Sequence, residues 1–148
     1  TLLYHQKQYD QALDEIEKYL IHYPRNMHAR LMKIQILSDM QQFNRAITQL
    51  HAWIYENPNQ ELWFETLHLL AQKGAEKAHV IKTLESLHAK YPQNKWGLLY
   101  LTDLYLRTNT QKAITLLEKS IRHIDDKELL TKIFFQLGLL YFEKREYR

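Results

Sequence analysis

The three prolines of this chain stand at Pro24, Pro58 and Pro92, 34 residues apart each time, inside YPRN, NPNQ and YPQN. A fixed spacing of that length constrains the fold more than any local signal, because it means one supersecondary unit copied along the chain. Other positions keep the period. Ala12 pairs with Ala46 and Tyr9 with Phe43, and KQYDQAL (7–13) returns as QQFNRAI (41–47), with a looser TNTQKAI at 108–114. Counting on from Pro92 reaches Asp126 in the polar stretch HIDDKE, where another turn is expected.

Between these marks the apolar residues recur at helical spacing: Leu13, Ile16, Leu20, then Ile47, Leu50, Ile54. Each set lines up as one stripe on a helix. Only three glycines and three prolines occur in 148 residues, too few for a hairpin-rich β fold. The pattern predicts helix pairs at about 27–40 and 43–56, 60–73 and 76–91, and 95–107 and 110–124, with a leading helix near 10–22 and a last one near 127–142. Proline follows each second helix because it cannot donate to the next turn. Asp10, Asn44 and Thr110 are the expected N-caps, and Asp125–Asp126 is expected to sit at the start of the last helix, where negative charge offsets the helix dipole.

A 34-residue unit of two helices, with an aromatic shortly before an alanine of the second helix and a proline at its end, resembles the tetratricopeptide repeat (TPR). The resemblance is clearest at QYDQAL through YPRN, at QFNRAI through NPNQ, and at LGLLYFEKREY near the end. It implies an all-α, TPR-like right-handed α-solenoid of antiparallel helix pairs. The expected units lie near 1–26, 27–60, 61–94 and 95–128, with a partial one at 129–148, in a single repeat domain. The start at Thr-Leu-Leu-Tyr and the stop at EKREYR suggest a fragment of a longer protein. In the family, a small residue of the first helix lets helices approach closely, and Gly138 with Tyr141 and Tyr147 matches that pattern. Ile34 and His68 stand at the corresponding place in the middle units, so wider or rotated contacts are expected there. The third unit has KGAEKAHV in place of the aromatic–alanine turn, and the fourth lacks its proline and shifts by about a residue. On this reading Tyr9 and Phe43 fill the gap where helix turns to helix, and Ala12 and Ala46 give room for a crossing neighbour.

Motifs for chemistry are missing. The eight histidines include no pair three or four apart, HExxH is absent, and cysteine does not occur, which removes thiolate metal sites and disulfides. Gly74, Gly97 and Gly138 stand alone, so there is no phosphate-binding loop. Acid–base pairs such as Asp14 with Lys18, Glu118 with Arg122 and Glu128 with Lys132 fall at i, i+4 and read as exposed helix support, about 0.2–0.5 kcal/mol each. No catalytic residue, cofactor or metal is expected. The net charge of +3, from 20 basic and 17 acidic residues, is spread without a run that would mark a nucleic-acid arm. The longest apolar run, 133–142, is interrupted by Gln136 and falls short of the roughly 20 residues a membrane span needs.

Stacked helix pairs curve, and their first helices line an extended inner groove suited to a peptide or a partner helix. The family's groove-facing places carry over to Gln35 and Asp39, Glu65 and Leu69, Thr102 and Tyr105, and Lys132 and Phe135. The expected function is a protein-interaction scaffold with a protein or peptide partner, without nucleic acid or membrane insertion. The alternative is an accessory or dimerisation segment of a larger enzyme or a secretion or assembly machine. Self-association through uncovered ends of the array is a further expectation. Trp53 is expected to pack between repeats, whereas Trp63 and Trp96, which open first helices, are expected to be part-exposed candidates for partner contact.

Overall fold

The computed structural model describes residues 2–146, and the side chains of 6–145. Tyr147 therefore lies outside the described residues. The elements, in chain order, are α1 (Leu2–His22), α2 (Met27–Asp39), α3 (Phe43–Glu56), α4 (Glu61–Lys73), α5 (Lys77–Lys90), α6 (Lys95–Thr108), α7 (Thr110–Ser120), a 3-10 turn (Ile121–His123) and α8 (Lys127–Glu146). No strand occurs among the described residues. Helices α2, α4, α6 and α8 form one layer and α3, α5 and α7 the other; each helix packs against its neighbours in sequence, and within the layers α3 packs on α5 and α4 on α6.

The prolines work together with the asparagines beside them. Asn26 and Asn94 are the N-caps of α2 and α6, and their side-chain oxygens accept from the amides of Ala29 (2.9 Å) and Gly97 (3.1 Å). Asn94 also donates through Nδ2 to the Pro58 carbonyl at 2.6 Å, and Tyr91 donates through its hydroxyl to the Tyr55 carbonyl at 2.7 Å. These two bonds tie the Pro92 turn to the Pro58 turn one repeat earlier. Arg30, although buried, completes the first turn: Nε donates to the Pro24 carbonyl at 2.7 Å, and the guanidinium lies 4.8 Å from the Trp53 ring centroid. Burial pulls the Arg30 pKa below its ordinary value, and Glu56 opposes that pull.

The second helices are amphipathic. In α3, Ala46, Ile47, Leu50, Trp53 and Ile54 are all buried, and each fully buried Ile or Leu contributes about 1.5–3 kcal/mol. The core continues through Trp63, Phe64, Leu67, Val80, Leu84 and Leu101 to a second cluster of Leu98, Ile114, Leu117, Leu129, Ile133, Leu137 and Leu140. Leu106 and Leu116 pack against both clusters and join them.

Several expectations need correction. Helix α1 is continuous from Leu2, so Tyr9 and Asp10 lie within it. Asp10 caps nothing there and accepts instead from Gln6 at 3.3 Å, while Ala12 is exposed. Phe43 does sit at a helix start, with its ring 3.3 Å from where a Cβ on Gly74 would stand, and Ala46 is fully buried. Asn44 lies inside α3, and Thr110 follows the true cap, Asn109, whose side chain accepts from the Lys112 amide. Asp126 caps α8 through bonds from the amides of Glu128 and Leu129. First-helix caps thus stand at Asn26, Gln60, Asn94 and Asp126, so the period shortens by two residues before α8. Trp63 is buried and packs against Trp53 in a tilted arrangement with ring centroids 5.3 Å apart, so it is a core residue. A Cβ on Gly138 would meet nothing within 4 Å, so no close helix approach is made there.

Candidate functional site on the first-helix face

The α2–α4–α6–α8 face is a row of three junctions built from equivalent positions. Ile34, His68 and Thr102 share one register on α2, α4 and α6. What each residue can reach decides what the junction becomes.

Between α4 and α6 the face is sealed. Gly97 leaves the Phe64 ring in ordinary contact, 3.5 Å from where a Cβ would be. Above that contact, His68 Nε2 meets Asp103 Oδ2 at 2.7 Å, and Arg107 Nε reaches the same oxygen at 3.3 Å. The His68 ring lies 5.3 Å from Tyr100, whose hydroxyl donates to Glu61 at 3.2 Å. Burial first, and then the hydrogen bond to Glu61, push the Tyr100 pKa up to about 12. These contacts bridge two helices.

Between α2 and α4 the face opens into a cleft of about 510 Å³, lined by His28, Leu31, Met32, Leu62, Leu69 and Leu70 among others, with Gln35, Glu65 and Lys73 at its polar edge. Gln35 donates to Asp39 at 2.8 Å and accepts from Lys73 at 3.4 Å. Met32 and Leu69 are 56% and 40% exposed, so apolar surface remains open to a partner. A second cleft of about 360 Å³ lies between α6 and α8, lined by Leu99, Thr102, Asp103, Leu106, Ile133 and Phe135, with Lys132 and Gln136 at its edge. Phe135 is 69% exposed.

The sequence-derived set therefore divides. Gln35, Asp39, Glu65, Leu69, Lys132 and Phe135 are exposed on this face, and Thr102, only 6% exposed, lines the second cleft. Tyr105 does not belong to the face. It is 7% exposed, turned toward Glu85 of α5 and Lys112 of α7, and its pKa is pushed up to about 12, by burial first and by Glu85 next. Sequence reasoning missed His28 and Met32. They precede Gln35 and Asp39 at spacings of four and three, one continuous helical stripe, and that spacing could have revealed them. Trp96 is half-buried, with Lys95 Nζ 4.4 Å from its ring centroid.

Among the described residues, no group of three or more histidines and carboxylates could hold a metal, and no helix is long and apolar enough to cross a membrane.

Residues 3–68 match the sequence model of the tetratricopeptide repeat. Among solved structures, the chain is similar to a crystal structure of MamA: 22% identity, 95% of this chain and 81% of that one, TM-score 0.52. A further crystal structure of MamA protein aligns at 21% identity, over 95% of this chain and 75% of that one, with TM-score 0.50. A thermophilic TPR protein of Thermus thermophilus aligns at 19% identity over 97% of this chain and 78% of that one, with TM-score 0.45. No curated protein matches the sequence.

Proposed function

We propose that this chain, whose residues 3–68 match the tetratricopeptide-repeat model and whose helical-repeat fold is similar to that of MamA, is a protein-interaction scaffold of the tetratricopeptide-repeat kind that binds a peptide or partner protein along its first-helix face. The observation that carries the reading is the α2–α4 cleft, where exposed Met32 and Leu69 flank an apolar hollow edged by Gln35, Glu65 and Lys73. An apolar anchor buried there would supply affinity, and the polar edge would fix its orientation. Gln35 and Asp39 already bond to each other and extend that edge.

The test uses peptides selected from a phage-displayed random library on the immobilised protein. A Met32→Ser, Leu69→Ser double variant is expected to weaken the selected peptides at least tenfold, on the order of 1.4 kcal/mol, with an unchanged circular dichroism spectrum. Selected peptides that bind this variant as tightly as the parent would contradict the reading.

The accessory or dimerisation role draws on a different observation. On α8, Phe134, Leu139 and Phe142 are all exposed, an apolar surface of the kind that marks association. Light scattering across a concentration series checks it, and a monomer at every concentration would remove it.

A further inference from the structure

On each second helix, the third residue after the cap faces back toward the second helix before it. Arg45, three residues after Gln42, reaches Glu17 of α1 at 3.5 Å. His79, three after Glu76, meets Asn44 of α3 through Nδ1 at 2.9 Å. Lys112, three after Asn109, holds the same register on α7, yet its ammonium enters no ion pair among the described residues. The residue opposite explains the difference. Glu85 of α5 stands two 34-residue periods after Glu17 and is the carboxylate that the register supplies. It is turned to Tyr105 instead, whose proton it helps to hold. Lys112 Nζ is left 5.9 Å from the Tyr105 ring centroid.

The same shortage runs through both helices. Glu85 and Glu118 are the only carboxylates within α5 and α7. The Glu118–Arg122 pair expected from the sequence does not form, and Tyr141 of α8 donates to Glu118 instead. Tyrosines thus engage both acids. Lys77, Lys82, Lys90, Lys112 and Lys119 are exposed, and no ion pair among the described residues includes a cation of α5 or α7.

Beside Lys112 lies a cleft of about 330 Å³, lined by Glu85, Tyr105, Thr115, Leu116 and Lys119 among others. Lys112 and Lys119 are two turns apart on α7, about 10 Å along its axis, and the Thr115 hydroxyl between them is a further donor. Two lysines against one glutamate leave a small positive surplus, suited to a discrete carboxylate. A nucleic-acid backbone or an anionic lipid surface presents its charge continuously and would meet Glu85 as well. The molecule already contains the pairing that fits: Glu17 lies between Lys33, at 3.6 Å, and Arg45, at 3.5 Å.

We propose that the α5–α7 cleft docks an acidic segment of a partner protein, with an aspartate or glutamate carboxylate held between Lys112 and Lys119 as Glu17 is held between Lys33 and Arg45. This site belongs to the second-helix layer and stands independently of the apolar anchor site on the first-helix face.

The experiment measures fluorescence anisotropy of a labelled oligoglutamate peptide at low ionic strength, where exposed ion pairs are least screened. It compares the parent protein, a Lys112→Gln, Lys119→Gln variant, and a Lys7→Gln, Lys127→Gln control of the same net charge with both changes at the ends of the array. The first variant is expected to weaken binding at least about threefold, the sum of two exposed ion pairs, with an unchanged thermal midpoint. The control is expected to bind as the parent does. A loss below about threefold, an equal loss in the control, or no binding to the parent overturns the proposal. Anionic vesicles or a single-stranded oligonucleotide bound more tightly than oligoglutamate also overturn it. Displacement of oligoglutamate by peptides selected on the first-helix face overturns it while the scaffold reading stands. Oligoglutamate binding that needs Lys112 and Lys119, alongside selected peptides indifferent to the Met32, Leu69 variant, supports this site and contradicts the scaffold reading.

Discussion

The α4–α6 and α6–α8 junctions occupy equivalent places in the array and have opposite outcomes. In the first, His68 is long enough to cross to Asp103, Tyr100 reaches back to Glu61, and Gly97 lets the Phe64 ring lie against α6. In the second, Thr102 stands in the place of His68 and cannot span the gap. The chain is also two residues short before the cap at Asp126, and Phe135 remains exposed beside an open cleft. A repeat array with a common core can thus set, by one polar residue per repeat, whether a stretch of its surface is sealed or left available.

The largest way to break this contrast is at the base of the sealed junction. Phe64→Ala, which empties a fully buried ring site, should cost about 3–5 kcal/mol in chemical denaturation. A cost below about 1 kcal/mol would mean that α4 and α6 are not closed by packing.

Alkaline pH gives an intermediate test. Tyr100 and Tyr105 hold their protons up to about 12 in the folded protein, against an ordinary value of 10.0. Folding therefore favours the protonated phenols. Their contribution is fully present below pH 10 and is lost as pH rises through about 12. Thermal midpoints should fall across that window, and less steeply in a Tyr100→Phe, Tyr105→Phe variant.

Asp103→Ala removes the bridge itself and should cost about 0.5–1.5 kcal/mol, the range of one hydrogen-bonded pair. At the open junction Phe135→Ala should change stability by no more than about 0.5 kcal/mol, since its ring is mostly in water. If the costs at Asp103 and Phe135 were equal, the distinction between sealed and open would have no energetic basis.

Much of the architecture was legible because the period is written in residues that act locally. Proline stops helices by its own covalent geometry, and the apolar stripes of α3 to α7 repeat around it, so helices and pairing followed directly. The leading helix was misplaced because KQYDQAL was matched to QQFNRAI, yet nothing from Gln6 to Gln11 breaks a helix. The break before Phe43 is made by Gln41 at φ 59°, where the Gln42 amide reaches the Leu37 carbonyl at 2.8 Å and the Gln41 amide reaches Ser38 at 2.9 Å. That is a helix-ending turn with glutamine where glycine is usual, so the sequence carries no local mark of it. The site was less legible for a different reason. Which face of α6 holds Tyr105 depends on α5 and α7 covering it, and the exposed stripe from His28 to Asp39 becomes a cleft only because α4 stands off from α2.

The central claim is that recognition occurs on the α2–α4–α6–α8 face. Amide chemical-shift mapping of the labelled protein with a library-selected peptide tests it most directly. The account predicts that shifts concentrate on α2 and α4 around Met32 and Leu69, and on α6 and α8 around Thr102 and Phe135. Shifts concentrated on α3, α5 and α7 would contradict it.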